Sequence, residues 1–455
     1  MKALPTLLLV ALLAACGGGG GSTGEPPPPV DHAVPGRFVL RVAAMGTAGH
    51  VALTEKPQPY RDSLPSAPID RRIHIGGPGA GHVYTPPEGW SLIDMALHPS
   101  GEISAVLATH RALRLVRLDT QARELTRAEL TDPATPLDPY YDQGGIKDDT
   151  AMLPLHTRDA VRLAALGEDL AVALRTGRHA VVAYRYGYTA QGGHGRYVQH
   201  WRSLVEPGTT VMARYLAGGS HDAYGQLVNH FQVLLAADAH GGIAVAVPAA
   251  PHNNAFVAHA AHFGSVPPVL PDHGAIVTRL DGQGRNLGAA FVDTGGPTQV
   301  FALRALGEGW ALAGRHKVAG QAGGWNGFAA WLDGAGRLQR HAVLHVEEDD
   351  VLFDIAALPD GRHLVAGATG YRQNPAGASI SDDGAPLLAV LDAQGRVAQR
   401  LALPAGPGQN PVRSLEGQGG RWLVGGMRGG PGTHTADADP ARLRADGYVR
   451  EVPAP

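Results

Sequence analysis

The apolar positions of this chain fall into short runs that turn back on themselves. The clearest copy is Ile355-Ala-Ala-Leu-Pro-Asp-Gly-Arg-His-Leu-Val-Ala-Gly367: an apolar stretch, a tight polar turn with glycine, and a second apolar stretch. Residues 93–108, 161–174, 233–247, 300–314 and 412–426 repeat the pattern. Each carries a leucine before the turn, at Leu97, Leu166, Leu235, Leu306, Leu358 and Leu415. Short strand-like runs around Asp-Gly and other glycine turns predict β-hairpins. A second hairpin follows each first one: an apolar strand ending in Asp, a glycine turn, then a mostly alternating strand. Residues 115–119, 276–281, 328–333 and 387–392 show its first half clearly, and 180–186 and 442–452 are weaker members.

Two hairpins make four antiparallel strands. Four-stranded units of roughly 40–60 residues are the signature of propeller blades, so the expected fold is an all-β propeller. A closed ring is favoured over an open sandwich because it hides the edges that a repeat would expose. Six full units point to six blades. One more hairpin, Phe38-Val-Leu-Arg-Val-Ala43 with His50-Val-Ala-Leu53, completes or caps the ring and leaves seven open. The repeat resembles the delta-60 family of bacterial β-propeller repeats. The likeness is carried by Ala357-Leu-Pro-Asp-Gly-Arg-His-Leu-Val-Ala-Gly367 and Phe328-Ala-Ala-Trp-Leu-Asp-Gly334, and the last three copies are the closest.

In such a blade the first-to-second and third-to-fourth turns share one face. The remaining connections share the other. Here the first set is tight, as at Pro359-Asp-Gly361 and Gly282-Gln-Gly284, and the second carries nearly all the extra length: 131–157, 206–225, 248–274, 370–386 and 428–440. Long loops on one face of a rigid scaffold are the usual place for binding residues. The candidates there are Tyr140, Tyr141, His252, His259, His262, Trp325 and Tyr371. Aromatic pairs such as Tyr140-Tyr141 offer flat faces to sugars or peptides. His259-x-x-His262 with His252 has metal-like spacing, but the region has no cysteine and its nearest carboxylate is Asp272. Surface histidines are the simpler interpretation, and no cofactor is expected. Glu347-Glu348-Asp349-Asp350 reads as a solvated turn.

The first residues carry a different message. Met1 and Lys2 precede a short apolar run that ends Leu13-Ala14-Ala15-Cys16. The run is too short to span a bilayer and suits a signal peptide. The boundary resembles the lipobox of bacterial lipoproteins, which implies cleavage before Cys16 and a lipid, such as palmitate, on it. Cys16 is the single cysteine of 455 residues, so lipidation also accounts for an otherwise odd thiol. Gly17–Gly21 and Pro26–Pro29 then form a tether. The expected division is signal peptide 1–15, tether 16–35 and propeller 36–455. Gly17 after the cysteine implies, by the same resemblance, the outer membrane.

A net charge of −3 with scattered Lys and Arg argues against nucleic acid as a partner. The chain has no G-x-S-x-G, H-E-x-x-H or P-loop motif. The expected function is a non-catalytic module, held at the membrane by its lipid, that binds an envelope protein or glycan through its loop-rich face. The alternative is a propeller hydrolase or lyase acting on a glycan or lactone.

Overall fold

The computed structural model describes residues 31–455 apart from 47–48, 57–68, 77–80, 110–111, 131–160, 176–180, 192–193, 207–232, 250–263, 265, 268, 272, 319–323, 348, 372–383, 419, 430–445 and 454. Its described residues contain 28 named strands, numbered β1 to β28 in chain order, in seven four-stranded antiparallel sheets. Blade 1 is β2 (Phe38–Ala44), β3 (His50–Glu55), β4 (Arg71–Ile75) and β5 (His82–Tyr84). Blades 2 to 6 take the next strands in consecutive fours, spanning residues 91–129, 161–206, 234–292, 298–344 and 351–400. Blade 7 combines both ends of the described chain. Its order is β1 (Asp31–Val34), β28 (Asp446–Pro453), β27 (Arg421–Arg428), β26 (Val412–Gln418).

The ring therefore has seven blades, not the favoured six. The early hairpin is the inner half of a full blade. Its outer half was hard to see because β4 reads Arg-Arg-Ile-His-Ile and β5 has only three residues. Blade 7 draws only three strands from its own repeat. The fourth, β1, lies within residues 16–35, the stretch assigned to the tether. It binds the two ends of the described chain into one sheet, through the pairing of Asp31 to Val34 with Arg450 to Gly447.

Burial follows position in the blade. Every residue of β20 (Asn326–Leu332), a third strand, is buried, because a blade presses both faces on neighbours. Such strands read as continuous apolar runs. All four residues of β25 (Val397–Arg400), a fourth strand at the rim, are exposed. The sequence signal is strong near the axis and fades outward.

One turn recurs between third and fourth strands. Asp281, Asp333 and Asp392 each accept the N–H groups of the second and fourth residues on, and pair with the arginine at the fourth. Asp119 does the same with Gln121 and Arg123. The residue before each arginine has positive φ: Gly284, Gly336 and Gly395 in three copies, but Ala122 at +63° in the other.

The first strands carry a second device. Pairing slips by one residue at Leu40, Ile93, Phe301, Phe353 and Arg413. Such a bulge re-aims the next side chain. It also explains the glycine ending the hairpin motif: a Cβ on Gly367 would stand 1.9 Å from the Val351 carbonyl oxygen.

The re-aimed side chains join the blades. Asp94 Oδ2 accepts the Leu163 N–H at 2.9 Å, and Asp354 Oδ2 accepts the Leu415 N–H at 2.8 Å. Ser414 Oγ accepts the Val42 N–H at 3.1 Å, which closes blade 7 onto blade 1. Each bond crosses from one first strand to that of the next blade.

The channel and its loop-side mouth

The seven first strands surround a central cavity of about 710 Å³. They are β2, β6 (Ser91–Leu97), β10 (Val161–Leu166), β14 (Leu234–Ala237), β18 (Thr298–Leu306), β22 (Val351–Ala357) and β26. Blade 4 contributes Leu234, Leu235, Ala236 and Ala237 to the wall, all apolar. The polar wall lies on the other blades. Arg41 Nη1 donates to Asp94 Oδ1 at 3.1 Å and to the Met95 carbonyl at 2.8 Å. Arg304 grips Asp354 with both ends of its fork, Nε to Oδ1 at 2.8 Å and Nη2 to Oδ2 at 2.6 Å. Both aspartates are thus occupied twice, by an arginine from the preceding blade and by a backbone N–H from the following one. They hold joints and have no oxygen left free for acid–base work.

Glu416 is held more loosely, with Arg304 Nη1 at 3.8 Å. Its side chain is accessible from the channel, yet protein surrounds it. That desolvation raises its carboxyl above the ordinary range, Arg304 opposes the shift, and the nearby Asp354 charge adds to it.

The tight-turn end holds a buried polar chain. His98 Nδ1 lies 2.9 Å from the Gly167 carbonyl oxygen and must donate to it, so Nε2 accepts from Ser104 Oγ at 2.7 Å. Ser104 Oγ is 2.6 Å from the Tyr197 hydroxyl. A serine beside a histidine invites a nucleophile reading. Ser104 is fully buried, however, and burial holds His98 down to about 4. The group packs blade 2 on blade 3. Arg117 beside it is fully buried between Glu102 and Glu168.

The loop-side end is different. First strands begin there, and Phe301, Phe353 and Arg413 line the channel near those beginnings. Phe353 packs against Phe301 at 5.4 Å and edge-on to Tyr371 at 5.5 Å, centroid to centroid. The Arg413 guanidinium lies 3.8 Å from the centre of the Phe353 ring and donates to the Tyr371 hydroxyl at 3.1 Å. Three blades build this shelf.

Of the expected binding residues, Cys16, Tyr140, Tyr141, His252, His259 and His262 lie outside the described residues. Trp325 and Tyr371 lie on the loop-side face, but they are only 2% and 5% exposed. Both are tied to the acidic turn between blades 5 and 6. Asp349 accepts the Trp325 N–H through Oδ1 and the Tyr371 N–H through its carbonyl, and the Asp350 N–H donates to the Trp325 carbonyl. Asp350 is itself buried and accepts the N–H of Val346 and Glu347. The turn expected to be solvated is a structural hub there. Among the described residues, no three His, Cys, Asp or Glu gather as metal ligands. Arg413, Phe301 and Phe353 were missed because they sit inside hairpins that read as scaffold. A large polar or aromatic residue at the bulge of a first strand is the signal that could have found them.

No protein-family model matches the chain, and no curated protein does either. Several solved structures show a distant similarity to the chain. The WD40 β-propeller domain of Doa1 is 10% identical with a TM-score of 0.40, covering 92% of this chain and 95% of that one. The structure of YCF48 bound to D1 peptide is 9% identical with a TM-score of 0.45, covering 93% and 95%. A protein of unknown function from Bacteroides caccae is 14% identical with a TM-score of 0.36, covering 74% and 92%. At these identities no residue or activity passes from them to this chain.

Proposed function

We propose that this chain is a lipid-anchored envelope module that binds a protein or glycan ligand through the loop-rich face of its propeller. The observation that carries the reading is the contrast between the two uses of charge in the channel. Asp94 and Asp354 are consumed in blade joints, whereas the loop-side mouth holds the half-buried Phe301 ring and an arginine that has no carboxylate partner among the described residues. A planar ring and a guanidinium at a concave opening suit recognition. The fold alone decides nothing, since one scaffold hosts many activities. Anchoring rests on Leu13-Ala14-Ala15-Cys16 in the sequence.

Two experiments test this. Metabolic labelling with a fatty-acid analogue should mark the wild-type chain and not Cys16→Ser; equal labelling of both removes the anchor. Glycan and peptide arrays probed with the propeller should give a ligand whose binding weakens about tenfold or more in a Tyr140→Ala, Tyr141→Ala double variant. Asp360→Ala and Gln283→Ala, on the tight-turn face, should bind like wild type. Equal loss from both faces, in variants that melt normally, would end the loop-face assignment.

A further inference from the structure

The arginines of the channel are not equivalent. Arg41 and Arg304 each face an aspartate, at 3.1 and 2.6 Å. Arg413 has no carboxylate within pairing distance among the described residues. Its neighbours are the Phe353 ring, the Tyr371 ring at 5.7 Å, and the Tyr371 hydroxyl. A guanidinium has five N–H donors in a rigid fork. Here Nη2 makes one bond, and Nε is buried without an acceptor.

Local geometry explains why. The bulge at Arg413 turns Ser414, not an acid, toward the next blade, and Ser414 is taken by the Val42 N–H. The nearest equivalent acid, Asp354, is held by Arg304 and the Leu415 N–H. Among the described residues no carboxylate pairs with Arg413. A guanidinium whose donors lack acceptors is costly until an anion takes those it can reach. Arg413 lies beside Phe301 and Phe353 on the wall of an open cavity.

We propose that Arg413 is the anchor of a binding site for a small organic carboxylate carried on a flat apolar body. The carboxylate takes the Nη1–Nη2 end of the guanidinium fork, and the body packs against Phe301, the half-buried ring of the shelf. Charge-assisted bonds from arginine to carboxylate are short and directional, and lysine does not reproduce them. This rests on the reading of the loop-side mouth as a binding surface and names its ligand chemistry.

Benzoate, its neutral isostere benzamide, and glucuronate separate the contributions. Isothermal titration of the propeller should show benzoate binding about tenfold or more tightly than benzamide. The preference should vanish in Arg413→Gln and shrink in Arg413→Lys, which keeps the charge. Circular dichroism and melting establish that each variant is folded; if Arg413→Gln is not, the Arg413→Lys titration decides. Equal binding of benzoate and benzamide, or a preference that survives in the folded variants, overturns the site. Glucuronate binding better than benzoate overturns the apolar shelf. A failure here, with array ligands still lost in the Tyr140, Tyr141 variant, would overturn the carboxylate site and leave the loop-face reading standing.

Discussion

Asp354 accepts the backbone N–H of Leu415 at 2.8 Å, across the joint between blades 6 and 7. The same carboxylate is gripped by Arg304 of blade 5, so one side chain spans three blades. Asp94 repeats the arrangement with Arg41 and the Leu163 N–H, across blades 1, 2 and 3.

Removing such a group strands its partners. Asp354→Ala leaves a desolvated Arg304 and an unmet Leu415 N–H, and should cost roughly 3 kcal/mol or more. Asp360→Ala, at an exposed turn pair screened by solvent, should cost far less. Urea unfolding of both variants checks the ranking. Similar midpoints for the two would mean that the joint is not a stabilising element.

The repeated aspartate turn makes a sharper prediction. Ala122 adopts φ of +63° where the other copies have glycine. An L-residue there is strained by about 1–2 kcal/mol, partly offset by the lower chain entropy of alanine when unfolded. Ala122→Gly should therefore stabilise the protein by up to about 1 kcal/mol, less whatever its methyl group contributes by packing. The reverse change, Gly336→Ala, should destabilise by about 1 kcal/mol, since φ is +78° while the new methyl meets only ordinary contacts from 3.5 Å. Calorimetric melting of the two single variants should move in opposite directions.

Ring closure depends on a strand far from its partners in sequence. β1 pairs with β28, and Asp31 bonds Arg428 at 2.6 Å and Arg450 at 2.5 Å. A chain beginning at residue 36 should melt lower than one beginning at residue 31. It should also associate with increasing concentration, because the outer edge of β28 is left unpaired. Asp31→Ala should show a smaller fall and no association. Analytical ultracentrifugation and melting distinguish these outcomes.

Stability should decline on mild acidification. Burial is the main cause that holds His50, His98 and His363 down to about 4, against an ordinary value of 6.5. Below pH 6.5 the unfolded chain binds protons that the folded chain refuses, so stability is greatest above that value and falls as pH drops toward 4. Below about pH 4 the aspartate turns add to the loss. The Arg396 N–H, with its guanidinium, holds Asp392 below the ordinary range, and its contribution disappears as that carboxyl protonates. Urea midpoints between pH 7.5 and 4.5 should fall. His363→Gln should flatten the slope by up to about 1.4 kcal/mol per pH unit. A flat wild-type profile would contradict the buried neutral histidines.

Much of the fold was legible because the inner and middle strands of a blade press on neighbours. That constraint writes apolar runs such as Phe328-Ala-Ala-Trp-Leu332, and the tight turns write their aspartates and glycines. Two kinds of information are not local. The blade count depended on β5 and β1, short strands at a blade's outer edge, where little apolar surface is buried and little pattern is imposed. The mouth of the channel depended on bulges. Phe353 and Asp354 are adjacent in the chain, yet the slip at Phe353 puts its ring under Arg413 of the next blade and sends Asp354 to Leu415. Trp325 and Tyr371 looked like loop aromatics; the turn at Asp349 and Asp350 draws both inward. Sequence determined the repeat and its turns, because those rest on contacts a few residues apart. Only the closed ring decided which side chains meet, because residues up to 419 positions apart become neighbours when it closes.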